Sequence, residues 1–128
     1  MGQCGRLLRT VLLVEPETDL ARIMERTLRD LRLVVTSVTT GREALELLEN
    51  QRPDSVILDP ELPDGAGVEL IDCLRQLGRI ENPGPVWIVV SYLDRATFVR
   101  RYGRPLPLYL TKPFDPGELV RLLESQFA

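Results

Sequence analysis

Five short apolar runs alternate with stretches of helical periodicity, and this alternation constrains the fold more than any other feature of the chain. Val11–Val14, Leu33–Val38, Ser55–Leu58, Val86–Val90 and Leu108–Leu110 are brief and often β-branched, as strands buried on both faces of a parallel sheet are. Between them, apolar residues recur at helical spacing. Leu20, Ile23, Met24, Leu28 and Leu31 form one stripe, and Leu70, Ile71, Leu74 and Leu77 another. Ala44, Leu45 and Leu48 follow Thr40, a candidate cap for the second helix. Arg95–Tyr102 fits a short fourth helix ended by Gly103-Arg104-Pro105. Leu119, Leu122, Leu123 and Phe127 mark the last, with Asp115 as N-cap and Pro116 at the first helical position. Strand–helix units in this order, without internal repeats or a linker, predict an α/β domain: a doubly wound parallel sheet covered by helices on both faces.

The bulk composition narrows the function classes. A chain of 128 residues suits one domain with one core. A net charge of −3 gives no reason to expect nucleic acid binding by the chain as a whole. There is no histidine, and the two cysteines, Cys4 and Cys73, lack metal-ligand spacing. A zinc site, a disulfide framework and histidine-based catalysis are therefore not expected. Both thiols are read as reduced, in a cytoplasmic protein. No apolar run reaches the length of a membrane span, and MGQCGRLLRT lacks the apolar stretch of a signal peptide. Met1-Gly2 superficially suits myristoylation, but Arg6 stands where that motif needs Ser or Thr.

In doubly wound sheets, ligands sit outside the carboxyl ends of the strands. There the first run ends on Glu15, the third on Asp59 and the fourth on Ser91, while the fifth runs through Thr111 to Lys112. Any one of these is compatible with a helix cap facing water. Together they suit phosphoryl chemistry. An aspartate can attack phosphorus to form an acyl phosphate. Mg²⁺ on one or two carboxylates neutralises phosphoryl oxygens, and a lysine and a hydroxyl donate hydrogen bonds to them.

The order of these motifs resembles the receiver domain of two-component response regulators, over roughly residues 9 to 127. "DSVILDPELPDGAGVELI" resembles the segment around that family's phospho-accepting aspartate, which would be Asp59. "VVSYLD" resembles the end of the fourth strand, placing Ser91 against the phosphoryl group, and "LYLTKPFDPGEL" resembles the Lys-Pro signature, with Lys112 as the phosphate-contacting lysine. The resemblance implies a flavodoxin-like (βα)5 fold of strand order 2-1-3-4-5, a cis Lys112–Pro113 bond, and Tyr109 at the aromatic position that reorients on activation. It implies residues 9–128 as the receiver, preceded by an extension at 1–8. It also implies a sensor histidine kinase or small phosphodonor as one partner. A downstream protein would meet the face built from the fourth helix, fifth strand and fifth helix, which is also where a homodimer would form. No effector domain is read in the chain, which is either a stand-alone receiver or part of a longer protein.

The same resemblance exposes departures. The family usually ends its first strand with two adjacent acids, the second a direct Mg²⁺ ligand. Here Glu15 is followed by Pro16, which has no side-chain oxygen, so weak Mg²⁺ affinity is expected, with Glu15, Asp59 and the Glu61 backbone carbonyl as ligands. Pro16 is also a good first-turn residue for the helix it opens, and Glu17 is expected to point along that first turn. Tyr92 follows Ser91 where the family prefers a small residue, and either shields the pocket or flips out of it. The Glu61 carboxylate either makes up for the lost ligand or repels phosphate. Arg95, Arg100, Arg101 and Arg104 form a basic stretch on the proline-stiffened approach to the fifth strand.

Three readings follow. A phosphorylation-responsive receiver would use Asp59, Ser91 and Lys112, with Ser91 and Tyr109 as the switch. A pseudo-receiver would keep the fold as a phosphorylation-independent interaction module, and Pro16 and Tyr92 favour it. A true enzyme on this fold, an Asp-dependent phosphatase or a flavin protein, is disfavoured. No further acid/base residue appears, nor any Ser-, Thr- or Gly-rich loop after the first strand to hold a flavin phosphate.

Overall fold

The structure, a computed structural model, describes residues 9–81 and 83–126. The expected extension at 1–8, Cys4 and Phe127 lie outside them. The elements run β1 (Thr10–Val14), α1 (Thr18–Asp30), β2 (Val34–Val38), α2 (Gly41–Asn50), β3 (Ser55–Leu58), α3 (Gly67–Ile80), β4 (Val86–Ser91), α4 (Arg95–Tyr102), β5 (Leu108–Thr111) and α5 (Pro116–Glu124). The strands pair in the order β2-β1-β3-β4-β5, all parallel, in register Val14↔Val38, Val14↔Leu58, Leu58↔Val89 and Ser91↔Thr111. This is the flavodoxin-like (βα)5 fold.

Strand alternation divides the core into two layers. Val11, Leu13, Ile57, Ile88 and Val90 face α1 and α5, where Met24, Leu28, Leu119 and Leu123 meet them. Leu12, Val14, Val56, Leu58 and Val89 face the other way, onto Leu48, Leu70, Ile71, Leu74 and Phe98 of α2, α3 and α4. Burying each such side chain contributes about 1.5–3 kcal/mol.

Local signals place the helix ends. Thr40 Oγ1 accepts from the Glu43 amide, and Asp115 and Glu118 form a reciprocal capping box with Pro116 in the first turn. Asp94 caps α4, and Gly103 ends it at φ +82°, a left-handed conformation that glycine adopts without strain. Gly67 meets a different demand: a Cβ there would lie 2.0 Å from the Pro60 carbonyl oxygen. Only glycine lets α3 approach the Asp59–Pro60 loop so closely.

Three expectations need correction. Pro16 does not open α1. The helix begins at Thr18, with Glu17 as an extended N-cap, so Pro16 precedes the cap. The buried stripe of α1 is Ala21, Met24 and Leu28, and Ile23 is 51% exposed. Leu20 and Leu31 are partly buried and pack against the same layer, so Ile23 is the one member of the expected stripe that lies exposed. Finally, β2 is an edge strand and not a doubly buried one: Val34, Thr36 and Ser37 are exposed.

Candidate functional site

The parallel ladder continues one residue past the strands and fixes the site. The Glu15 amide donates to Val38 O (3.1 Å), Asp59 to Val14 O (3.0 Å), and Lys112 to Ser91 O (2.7 Å). These bonds hold Glu15, Asp59, Ser91 and Lys112 at the carboxyl edge of the sheet. All four side chains are buried there, where an ionisable group must find a partner.

Lys112 is that partner. Its Nζ donates to Asp59 Oδ2 at 2.7 Å, to Glu17 Oε2 at 2.7 Å and to Glu15 Oε2 at 3.0 Å. Glu15 Oε1 lies 2.9 Å from the same nitrogen, but accepts no aligned hydrogen bond among the described residues. Three carboxylates thus surround one ammonium. Burial alone would lower the lysine pKa, but the hydrogen bonds it donates to Asp59, Glu17 and Glu15 outweigh it and hold the group above its usual range. For Glu15 burial dominates and pushes its carboxyl up, against the lowering effects of the Glu17 amide and Lys112. Glu17 is exposed, and its bond to Lys112 pulls its pKa down.

Glu17 is the site residue that sequence reasoning missed. With α1 starting at Thr18, the N-cap residue is extended, with ψ 104°, and its carboxylate turns into the pocket instead of along the helix. It makes no side-chain cap bond. Thr18-Asp19, a polar pair with an acid suited to a first turn, was the signal for that later start. Glu15, Glu17 and Asp59 each present a carboxylate oxygen within 4.8 Å of one another. Such a set of hard, anionic oxygens, with Glu15 Oε1 left without an aligned donor, fits Mg²⁺ in charge and chemistry.

Glu61 behaves otherwise than its side chain was expected to. Its amide donates to Asp59 Oδ1 at 2.9 Å, but its carboxylate leaves the pocket and pairs with Arg101 (2.8 Å) and the Tyr102 hydroxyl. In this arrangement the carboxylate points to α4 and lies away from Lys112. Tyr92 leans over the site. Its ring centroid lies 5.1 Å from Lys112 Nζ, and its hydroxyl donates to Glu17 Oε1 at 3.2 Å, while 63% of the residue stays exposed.

Ser91 Oγ accepts from the Leu93 amide at 3.1 Å, and the Tyr109 hydroxyl donates to Leu93 O at 2.6 Å. Tyr109 is buried, edge-on to Phe98, and burial raises its pKa. The Lys112–Pro113 bond is cis, as the resemblance implied. The basic stretch is partly engaged: Arg95 stacks on the Tyr109 ring and Arg101 holds Glu61, while Arg100 contacts Thr97.

Comparison with known proteins agrees with this geometry. The family model "Response regulator receiver domain" matches residues 11–124. Among curated relatives, a 14.6 kDa protein of Leptolyngbya boryana is 33% identical over 118 residues, covering 90% of this chain and 87% of its own. The regulatory protein TcrX of Mycobacterium tuberculosis is 35% identical over 91% of this chain and 48% of its own, and PilR of Pseudomonas aeruginosa is 32% identical over 89% and 25%. The chain therefore spans half or less of the length of several curated relatives. Among solved structures, the CheY-like receiver domain from Methylobacillus flagellatus superposes with a TM-score of 0.76 at 27% identity, covering 93% of this chain and 98% of its own. With the aspartate, hydroxyl and lysine on adjacent strand ends and the family model matching nearly end to end, the chain belongs to the response regulator receiver domain family.

Proposed function

We propose that this domain, over residues 9–128, receives a phosphoryl group on Asp59 and passes the change to a protein partner. The observation that carries the reading is the Lys112 Nζ–Asp59 Oδ2 contact of 2.7 Å beside the buried Ser91 hydroxyl. In the transfer, an Asp59 oxygen bonds to phosphorus as the bond from phosphorus to the donor breaks. For a phosphohistidine on a sensor kinase, the electron pair of that bond stays on the imidazole nitrogen. Lys112 and Ser91 then hold the phosphoryl oxygens as an ammonium and a hydroxyl donor. Glu15, Asp59 and Glu17 would hold Mg²⁺, with the Glu61 carbonyl as a further oxygen, and the ion would neutralise the phosphoryl charge.

Receiver domains generally act as signalling modules and not as enzymes, and this chain is read in the same way. Ser91 and Tyr109 share Leu93 as a hydrogen-bond partner, which supports a switch from the pocket to the face of α4, β5 and α5. Among the described residues no helix is long and apolar enough to cross a membrane.

Incubation with a small acyl phosphate and Mg²⁺, followed by intact mass, tests the transfer. One hydroxylamine-labile phosphoryl group per chain, absent in Asp59→Asn, is the expected result. An unmodified wild-type chain at high Mg²⁺ would instead support the second reading, an interaction module that works unphosphorylated. That reading rests on Pro16, on the Tyr92 ring above Lys112, and on a lysine already saturated by three carboxylates.

A further inference from the structure

Glu61 touches the acceptor site with its backbone and a distant helix with its side chain. The amide donates to Asp59 Oδ1 at 2.9 Å. The carboxylate reaches across the surface to Arg101 Nη1 at 2.8 Å and to the Tyr102 hydroxyl, both in the last turn of α4. Tyr102 then stacks on Phe98, centroid to centroid 5.0 Å, and Phe98 meets Tyr109 at 5.4 Å. The Tyr109 hydroxyl bonds to Leu93 O, and the Leu93 amide to Ser91 Oγ, back in the pocket. The contacts form a closed loop that leaves the site at Asp59 and re-enters it at Ser91.

We infer that the Glu61 carboxylate is a coupling residue, through which a change at Asp59 is read at the C-terminal end of α4. The inference rests on the proposed phosphoacceptor role of Asp59. Two physical points support it. First, the Glu61 amide bonds to a carboxylate oxygen, Oδ1; with the phosphoryl group on Oδ2, the oxygen beside Lys112, Oδ1 becomes an uncharged carbonyl and a weaker acceptor, so the charge-assisted part of this bond is lost on modification. The Pro60–Glu61 segment then changes its anchor at one end while α4 holds the other. Second, α4 is an element easily displaced. It has 8 residues, a length at which a helix depends on tertiary contacts, and Phe98 is its one fully buried side chain. Its final turn is tied to the domain by the Glu61 contacts with Arg101 and Tyr102 on the side of the acceptor loop, and by Arg75 of α3, which donates to the Tyr102 and Gly103 carbonyls. Elements with few buried contacts are the ones that move in switches.

The clasp adds a route to the one through Ser91 and Tyr109. Its distinguishing property is polarity: it acts on the end of α4 and on the Tyr102–Gly103 approach to β5, whereas Tyr109 acts from beneath the helix. Coupling is reciprocal, so cutting the clasp also alters affinity at the pocket.

The test titrates beryllofluoride with Mg²⁺ into the wild-type chain and into Tyr102→Phe and the double variant Tyr102→Phe/Arg101→Met, following backbone amide NMR. None of the substituted residues touches the pocket, and thermal unfolding checks that each variant is folded. In the wild type, the Glu61 and Gly103 amides shift with one saturation curve. In both variants the Glu61 shift remains, the Gly103 shift falls by more than half, and the double variant changes beryllofluoride affinity by about fivefold, at the low end of measured coupling between sites. A Gly103 shift undiminished in the double variant overturns the inference and leaves Asp59 as acceptor. A wild-type chain with no saturable shift at Glu61 overturns both, and a variant that responds as an unfolded chain is replaced by Glu61→Gln, for which the same Gly103 criterion applies.

Discussion

Glu17 Oε2 and Lys112 Nζ lie 2.7 Å apart, the same distance that separates the lysine from Asp59. The position after Glu15, where the family keeps its second acid, is a proline here, and the carboxylate one residue further on has taken up the lysine. The later helix start makes this possible, because an extended N-cap aims its side chain back across the strand ends.

Glu17→Gln tests whether that carboxylate does more than neutralise the lysine. The amide keeps the shape and loses the charge. If Glu17 supplies a ligand, Mg²⁺ affinity falls by about tenfold or more, the range seen when groups supporting a metal site are removed. Isothermal titration of the purified domain measures it. Unchanged affinity would assign Glu17 to Lys112 alone and leave Pro16 uncompensated.

The strand ends and the caps were legible because each rests on local chemistry, while the strand order came only from the resemblance to the receiver family. Asp115 and Pro116 announce a helix start, Gly103 announces an end, and β-branched runs announce buried strands. What was not legible depended on partners far along the chain. Glu61 turns away from the pocket because Arg101 and Tyr102 are there to receive it, and nothing adjacent to Glu61 encodes their presence. Glu17 was misplaced for a smaller reason: one misassigned helix start rotated its side chain out of the site. The exposed face of β2 followed from strand order, which local pattern does not contain.

Opposed pH dependences follow from Glu15 and Glu17. Burial holds the Glu15 carboxyl above its ordinary 4.5. A carboxyl raised in the folded state contributes stability below pH 4.5, and that contribution is lost as pH rises through the folded value. Glu17 is lowered by Lys112, so its contribution is present above 4.5 and lost as pH falls through the lowered value. Urea midpoints of wild type and Glu15→Gln should therefore diverge between pH 4.5 and neutrality, the variant gaining relative stability as pH rises. Parallel curves in that window would mean that Lys112 fully compensates Glu15.

Arg75 of α3 donates to the carbonyls of Tyr102, of Gly103 (2.8 Å) and of Pro105 (3.3 Å), and so pins the approach to β5. Its guanidinium also lies 5.9 Å from the Trp87 ring centroid. Arg75→Met keeps the packing stem and removes the donors. The expected loss is about 1–3 kcal/mol, the cost of hydrogen bonds made by a charged group. Faster amide exchange should be confined to residues 102–106. Exchange that speeds up evenly over the whole domain would show that Arg75 supports the core and not this one connection.

Tyr92 covers the pocket above Lys112. Its hydroxyl competes for Glu17 Oε1, and its ring covers the face of Lys112 at 5.1 Å. Tyr92→Ala removes an exposed cation–π contact, too weak an interaction for its loss to unfold the domain. It also frees one Glu17 oxygen and opens the space above the lysine. Phosphorylation of Asp59 by a small acyl phosphate should then accelerate, with Mg²⁺ affinity rising at the same time. Tyr92→Phe separates the two effects: it releases Glu17 while keeping the ring, so metal affinity should rise without the gain in transfer rate. If Tyr92→Ala leaves both quantities unchanged, the ring already swings clear in solution, and the slow step lies with Lys112, which must release at least one of its carboxylates before it can hold a phosphoryl oxygen.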